Sequence, residues 1–382
     1  MTDLSRYRKE IDKIDDGILD LFEQRMKVAE KICKFKQEHS LPILDASRER
    51  EKVADLASKT DESMRSYVHV LYSLLFELSR SHQLQLCGVS TALSKKITDA
   101  IEDTPHLFPE SATVACQGTE GAYSQIACEK IFKSPSIMYM QEFENVFSAI
   151  ENGLCDYGIL PLENSTAGSV TKVYELMQKH NFSIVRSTRL KIDHSLYVHP
   201  WVQDVSEIKE IVSHEQAIKQ CAGFIKSLGK VKITYCENTA VAAEYVAKSN
   251  RKDVAALASH RCAELYNLKC LKSAVQDKGN NYTRFICISK NLEIYPGANK
   301  TSVMMTVPHK PGALYKVLAR FYSLGINLIK LESRPLPDRD FEFMFYFDLE
   351  TSIYSKEFVQ LICELDGICE SFCYLGSYVE SV

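Results

Sequence analysis

The chain has 382 residues, which is too long for one domain and predicts two or three. It is 45% apolar and 25% charged, and a net charge of -4 gives no electrostatic reason to expect a nucleic-acid partner. No apolar run of about 18 residues and no signal-peptide pattern occurs, so we expect a cytoplasmic protein without a membrane partner. The 13 cysteines lack zinc-type spacing and are predicted to be reduced, and neither a metal nor a cofactor is expected.

The first segment, residues 1–88, carries only helical periodicity. Apolar side chains recur every three or four residues from Leu4 onward and predict one amphipathic helix over about 4–38. Arg25 interrupts this stripe, and because a guanidinium keeps its charge, it needs either a carboxylate such as Glu49 or an anionic ligand. A rod of about 50 Å cannot bury its stripe within so short a segment. We therefore expect a homodimer or a higher homo-oligomer.

More polar residues follow on two further predicted helices. Asp45 is a suitable N-cap for a helix over about 46–58, and a third helix runs to about Cys87. Ser81 and Gln85 take positions of its apolar stripe, four residues apart and hence on one side. The polar set of the three helices is Arg8, Arg25, Lys36, Asp45, Arg48, Glu49, Ser81 and Gln85. It predicts a pocket for a small dianion that bears a hydroxyl, although salt bridges within the chain would produce the same spacing.

This set resembles the active site of the all-helical chorismate mutases. The resemblance implies an intertwined dimer in which Arg8 reaches the site of the neighbouring chain. It implies catalytic roles for Lys36, Glu49 and Gln85. It implies that chorismate is bound by Arg8, Arg25, Asp45, Arg48 and Ser81. A Claisen rearrangement requires a folded substrate and stabilised charge at the ether oxygen, which Lys36 and Gln85 would face.

The next two segments differ from the first in composition and in periodicity. Residues 89–110 are polar and predict a linker, with a helix near 90–102. Residues 111–290 alternate short apolar strands with helices, which is typical of α/β construction and long enough for two lobes around a cleft. Polar motifs follow its strands at Gly118–Ser124 and Pro161–Gly168, and another enters a strand at Asn281–Phe285. Ordinary turns would explain each motif taken alone.

Together and in this order, the motifs resemble prephenate dehydratase along almost all of residues 111–290. The resemblance implies two α/β lobes of the periplasmic-binding-protein type, with no nicotinamide cofactor. It implies a catalytic role for Thr283, and substrate contacts for Asn164, Ser165, Gln216 and Arg284. Glu163 is a conceivable acid for the leaving hydroxyl. Two alternatives stay open, namely an arogenate dehydratase and an anion-sensing module without catalysis.

The last segment, residues 300–382, reads strand, helix, strand, strand, helix, strand, which is the ferredoxin-like order. Its motifs at Pro311–Leu314 and Glu332–Pro335 resemble the ACT regulatory domain attached to prephenate dehydratases. The resemblance implies that L-phenylalanine, as effector, contacts Gly312, Ala313, Leu314, Glu332, Ser333 and Arg334. The whole chain is thus expected to be a bifunctional enzyme of phenylalanine biosynthesis. It would convert chorismate to prephenate as an isomerase, convert prephenate to phenylpyruvate as a carbon-oxygen lyase, and be inhibited by phenylalanine.

Overall fold

The computed structural model describes residues 2–39, 41, 45–87, 92–336, 342–355, 358, 361–362, 364–365 and 369–381. The chain forms two compact units. The first unit comprises Met1–Lys96, Lys316–Arg320 and Tyr354–Cys369. The second unit comprises Ile97–Tyr315, Phe321–Ile353 and Glu370–Val382.

The N-terminal part of the first unit is helical, as predicted. Its helices are α1 (Thr2–Glu38), α2 (Ala46–Ser58) and α3 (Arg65–Cys87), with a 3-10 turn at Glu62–Met64. The carboxylate of Asp45 accepts a hydrogen bond from the amide of Arg48 and so caps α2. Small side chains of α1, Ala29 and Cys33, are buried, whereas its large apolar residues are mostly exposed. Cys33 is disulfide-bonded, contrary to the expectation of a reduced thiol.

The remaining elements alternate between helix and strand. The helices are α4 (Ala92–Asp103), α5 (Tyr123–Ile131), α6 (Phe143–Glu151), α7 (Thr171–Met177), α8 (Glu215–Gln220), α9 (Ala222–Ser227), α10 (Thr239–Ser249), α11 (His260–Tyr266) and α12 (Ala313–Ser323). The first strands are β1 (Thr113–Gln117), β2 (Ser136–Met140), β3 (Tyr157–Asn164), β4 (Gly168–Ser169), β5 (Ser183–Lys191), β6 (Ser195–Val198), β7 (Glu210–Ser213) and β8 (Lys232–Tyr235). The later strands are β9 (Val254–Ala258), β10 (Lys269–Lys272), β11 (Tyr282–Ser289), β12 (Lys300–Thr306), β13 (Asn327–Pro335), β14 (Phe343–Glu350) and β15 (Ser371–Ser381).

Two sheets build the two α/β lobes that the alternation predicts. One lobe contains the strand order β5-β11-β3-β1-β2, and the other contains β10-β6-β9-β7-β8. The chain passes between the lobes twice, after β5 and again before β11, so that β11 returns between β5 and β3. Strands β2 and β10 were not predicted. Both lie at a sheet edge and are half-exposed. Strand β10 lacks the apolar run that marks a central strand, whereas β2 contains one at Ile137–Met140 that was overlooked.

The C-terminal strands continue the sheet of the first lobe. Their order is β13-β14-β12-β15, and β15 pairs in parallel with β5. A Cβ atom on Gly376 would lie 2.3 Å from the carbonyl oxygen of Ile184, so this contact between β15 and β5 requires glycine. The strands and first helix agree with the predicted order. A second helix is expected over 356–365; half of these residues are described, and those, 358, 361–362 and 364–365, are helical.

Candidate active sites

The first site candidate lies where α1 meets α3. The guanidinium of Arg25 donates to the carbonyl oxygen of Leu75 at 2.9 Å and also to the hydroxyl of Ser79, and it lies 5.3 Å from the ring centre of Phe76. Burial lowers the pKa of Arg25 from its ordinary value, while Tyr72 and Glu49 act in the opposite direction. The charge interrupting the apolar stripe of α1 is therefore met by oxygen acceptors on α3.

Glu49 does not form the salt bridge with Arg25 that the spacing allowed. Its carboxylate is bonded instead to Arg80 of α3, and both side chains are largely buried. Arg80 is a cation that sequence reasoning missed, although it lies directly before Ser81. The contact between α2 and α3 thus places the Glu49 carboxylate and the Arg80 guanidinium beside Ser79, the residue of α3 that accepts from Arg25.

The other predicted residues of this site are distributed more widely. Arg8 and Arg48 are exposed, and Lys36 is partly exposed on α1. Eleven residues separate Lys36 from Arg25, so the two share a face of α1 within about 20°. Ser81 is buried, and its hydroxyl donates to the carboxylate of Glu364, which also pairs with Arg320. Gln85 lies on α3, but its side chain falls outside the described residues.

The second site candidate lies between the two α/β lobes and is centred on Thr283. Antiparallel pairing of β3 with β11 sets Asn164 opposite Thr283, and both are buried. The Asn164 amide nitrogen donates to Thr283 Oγ1 at 2.9 Å and to Asn281 Oδ1 at 2.8 Å. Its oxygen accepts from the backbone amides of Thr166 and Ala167 at 3.0 and 2.9 Å.

These contacts fix the direction of the hydrogen bonds. A backbone N–H can only donate, so the atom of Asn164 that faces Thr166 and Ala167 is its oxygen. The atom facing Thr283 is therefore the amino group, and the Thr283 hydroxyl is the acceptor. Since a hydroxyl carries one proton and accepts at its lone pairs, the Thr283 proton is left available for another acceptor.

The network continues into the other lobe through Gln220, at the end of α8. Gln220 Oε1 accepts from Asn281 Nδ2 and from His194 Nε2, both at 3.0 Å, and its amino group donates to Thr166 Oγ1 at 3.0 Å. Burial lowers the pKa of His194, which favours the neutral ring. Gln220 was missed by sequence reasoning. Its position one helical turn after Gln216 places both side chains on the same side of α8, and this spacing could have identified it.

The remaining predicted residues of this domain lie on different elements. Ser165 joins the ends of β3 and β11, because its hydroxyl donates to the Asn280 carbonyl at 3.1 Å and accepts from the Tyr282 amide at 2.9 Å. Gln216 is partly exposed in the first turn of α8. Arg284 follows Thr283 on β11 and so points to the opposite face.

Arg284 is buried among acceptors rather than brought together with Thr283. It pairs with Glu163 at 3.2 Å, with Glu380 at 3.2 Å and with Asp348, and donates to Tyr378 at 2.6 Å. Burial opposes its charge, yet Tyr378 and Asp348 raise the pKa of Arg284 well above its ordinary value. Glu163 also lies on this face, with one oxygen toward Arg284 and the other toward Lys330.

The two predicted effector segments lie on different elements. Gly312 directly precedes α12 and has a φ of +81°, and Ala313 and Leu314 are the first residues of that helix. Glu332, Ser333 and Arg334 lie in β13, with Arg334 paired to Glu332 at 2.7 Å. Over the described part of the chain, no cluster of three or more His, Cys, Asp or Glu suited to a metal occurs. No helix in those same ranges is long and apolar enough to cross a membrane.

Comparison with known proteins identifies two domains by class. Residues 7–84 match the family chorismate mutase type II, and residues 114–293 match the family prephenate dehydratase. The chain therefore joins an isomerase domain to a lyase domain.

Individual relatives extend the match along the whole chain. The bifunctional chorismate mutase/prephenate dehydratase of Enterobacter agglomerans is 32% identical, over 98% of this chain and 95% of its own length. Arogenate dehydratase/prephenate dehydratase 2 of Arabidopsis thaliana is 35% identical, over 69% of this chain and 72% of its own. A solved structure of prephenate dehydratase from Arthrobacter aurescens in complex with L-Phe is 26% identical. It covers 70% of this chain and 90% of that one, with a TM-score of 0.65. The chain belongs to the family of bifunctional chorismate mutase/prephenate dehydratases, enzymes of aromatic amino acid biosynthesis.

Proposed function

We propose that Thr283 donates the hydrogen bond that assists the leaving hydroxyl of prephenate in the cleft between the lobes. The observation that carries this assignment is the amide of Asn164. It donates to Thr283 Oγ1 and so leaves the hydroxyl proton free to point at a substrate. A threonine hydroxyl is too weak an acid to give up this proton, but it can stabilise charge on a departing oxygen.

The reaction breaks two bonds at opposite ends of the prephenate ring. The ring carboxylate leaves as carbon dioxide, and the electron pair of its carbon-carbon bond enters the ring. The carbon-oxygen bond breaks at the other end, and the hydroxyl takes up one proton from the solvent and leaves as water. The ring becomes aromatic, giving phenylpyruvate. Negative charge develops on the departing oxygen, where a fixed donor accelerates the step.

The surrounding residues position Thr283 and the substrate. Asn164 holds the Thr283 hydroxyl, and Gln216 and Ser165 contact substrate from the rim of the cleft. Both oxygens of Glu163 face cations, which does not support a role as the acid. Arg284 is enclosed by carboxylates and Tyr378, which supports a structural role in place of the substrate contact that the resemblance implied.

In the helical domain, chorismate binds beside Arg25 and rearranges to prephenate. Arg25 and Arg48, with Arg8 from a second chain, hold the two carboxylates, and Glu49 holds the ring hydroxyl. Lys36 and Gln85 face the ether oxygen. Asp45 and Ser81 complete the binding set. The cations Arg25 and Arg80 on facing helices support this assignment, because the substrate is a dianion.

The mutase site is completed by a second copy of the chain. Apolar side chains along the α1 stripe remain 55–66% exposed in one chain, namely Leu4, Tyr7, Ile11, Ile14, Ile18 and Leu21. A continuous apolar stripe of this length is typical of a helix that packs against a partner. The exposed position of Arg8 on the same helix supports its contribution to the partner's site.

The C-terminal strands β12 to β15 form an ACT regulatory domain that binds L-phenylalanine. Their strand order and the two motifs at α12 and β13 support this assignment, as does the L-Phe complex of the related Arthrobacter aurescens enzyme. The effector contacts Gly312, Ala313, Leu314, Glu332, Ser333 and Arg334, and it inhibits the enzyme that makes its precursor.

Arogenate is a second candidate substrate for the α/β cleft, because the Arabidopsis relative is an arogenate and prephenate dehydratase. Arogenate differs from prephenate by an amino group on the side chain, so parallel turnover measurements with each substrate decide the preference. For the whole proposal, the purified chain is given chorismate alone, and phenylpyruvate is followed by its absorbance in alkali, with and without L-phenylalanine. We expect phenylpyruvate to form and L-phenylalanine to suppress it. Prephenate that accumulates without phenylpyruvate would leave the mutase assignment in place and reject the dehydratase assignment.

A further inference from the structure

Strand β13 presents two different faces. Lys330, Glu332 and Arg334 are half-buried, whereas Leu331 and Ser333 between them are exposed. Side chains alternate across a strand, so the charged residues all point the same way. They point at the hairpin formed by β3 and β4 of the dehydratase domain.

Lys330 bonds both strands of that hairpin. Its ammonium group contacts one carboxylate oxygen of Glu163 on β3 and the hydroxyl of Ser169 on β4, the latter at 3.1 Å. It also lies 5.3 Å from the ring centre of Tyr174, and the Lys330 side chain is only 12% exposed. The Ser169 hydroxyl in turn donates to Glu332 at 2.7 Å. The neighbouring charge on β13, Arg334, pairs with Glu332.

The hairpin held by Lys330 carries the residue that orients Thr283. Glu163 and Ser169 form one cross-strand pair, and Asn164 and Gly168 form the next. The turn between them supplies the two backbone amides that bind the Asn164 oxygen. A shift of β13 therefore acts on the pair directly beside Asn164. The direct path runs from Lys330 through Glu163 to Asn164 and then to Thr283.

We propose that Lys330 transmits effector binding from β13 to the dehydratase site by its bonds to Glu163 and Ser169. This inference rests on the proposed binding of L-phenylalanine at residues 332–334, which lie on the same strand two residues away. Glu163 is also bonded to Arg284, and Ser165 is bonded across to β11. The hairpin is thus held in place without Lys330, whereas the signal from β13 depends on it.

The test uses the full chain with Lys330→Met, which keeps an unbranched side chain one atom shorter and removes its charge. We expect turnover of prephenate without effector to stay within about threefold of wild type. We expect L-phenylalanine binding, measured by calorimetry, to remain, while the concentration that halves prephenate turnover rises at least about tenfold. Lys232→Met is the matched control, because Lys232 also pairs with a glutamate but lies on β8 in the other lobe. This control should be inhibited like wild type.

Reciprocity supplies a second readout. If L-phenylalanine weakens substrate binding, substrate must weaken L-phenylalanine binding by the same factor, and the variant should lose both effects together. Ser169→Ala removes a smaller group from the same contact and should raise the inhibitory concentration in the same direction. Wild-type inhibition in both folded variants would overturn the coupling while leaving the effector site intact. A wild-type chain that neither binds nor responds to L-phenylalanine would instead reject the effector assignment and this inference with it.

Discussion

Asn164 donates its amide hydrogen to Thr283 across 2.9 Å between neighbouring strands of the first lobe. The direction of this bond follows from the backbone amides that occupy the Asn164 oxygen. It makes Thr283 an acceptor toward Asn164 and leaves the Thr283 proton available for another acceptor. In the proposed dehydratase site, this relationship suits a hydroxyl that donates a hydrogen bond better than a stronger acid.

Removal of the Thr283 hydroxyl should stop the dehydratase and spare the mutase. We expect Thr283→Ala to lower kcat for prephenate by about 10²–10³-fold, the usual cost of losing one donor to a developing negative charge. Thr283→Ser keeps the hydroxyl and should retain most of the activity. Chorismate and prephenate turnover are measured separately on each variant. Equal loss of both activities in Thr283→Ala would point to misfolding and contradict the assignment.

Asn164→Asp tests the direction of the hydrogen bond. An ionised aspartate is an acceptor only, so the Thr283 proton would turn toward residue 164 and away from the substrate. We expect kcat for prephenate to fall by about 10²-fold or more, with a smaller change in KM. Asn152→Asp, an exposed position after α6, is the control and should behave as wild type. Steady-state kinetics at neutral pH provide the measurement, and an active Asn164→Asp enzyme would refute the orientation.

Lys36→Ala should abolish chorismate turnover while added prephenate is still converted. The expected reason is the loss of the cation beside the ether oxygen in the transition state, worth about 10²-fold or more. Lys34→Ala serves as the control, because Lys34 is exposed and lies about 160° around α1 from Lys36. Both reactions are assayed on the same preparation, so a fold defect is recognised by loss of the second activity. Near-normal chorismate turnover in Lys36→Ala would remove the central residue from the mutase site.

A charge within the α1 stripe should prevent association. Ile18 is 59% exposed in a single chain, and Ile18→Glu would bury a carboxylate in the proposed helix contact. We expect a smaller particle by sedimentation and a loss of mutase activity larger than the loss of dehydratase activity. Lys9→Glu changes charge on the opposite side of α1 and should leave the assembly unchanged. An unaltered sedimentation profile for Ile18→Glu would show that α1 is not the interface.

Glu210 should make the second lobe sensitive to acid. Hydrogen bonds from Thr234 and Lys232 and an ion pair with Arg251 lower the pKa of Glu210 to about 2. A folded-state pKa below the unfolded value adds stability that is complete above about pH 5 and is lost as pH falls toward 2. We expect Glu210→Gln to lower the free energy of unfolding at pH 7 by on the order of 2 kcal/mol. Urea unfolding from pH 7 to pH 3 should show the difference between variant and wild type shrinking with acidity, and a constant difference would contradict the cause.

Some residues of the candidate sites could be predicted from the sequence, and others could not. The Asn281–Phe285 motif located Thr283, and the pairing of β3 with β11 then brought Asn164 to it. Gln220 and Arg80 were not anticipated, because a side chain's partners depend on which helices pack together and not on local spacing. The same limit applies to Arg284. It follows Thr283 in the chain, but strand alternation turns it to the opposite face, and only the C-terminal strands supply the acceptors that surround it there.

Local sequence patterns were sufficient to predict the helices of the first domain, the central strands of the α/β lobes and the order of motifs that identifies the family. These depend on local periodicity, caps and turns, each of which is encoded within a few residues. The pairing of β15 with β5 and the contact of Lys330 with the hairpin carrying Asn164 became apparent only from the three-dimensional fold. Those contacts join residues more than 160 positions apart, where the free energy of packing and charge pairing selects partners that no local pattern records.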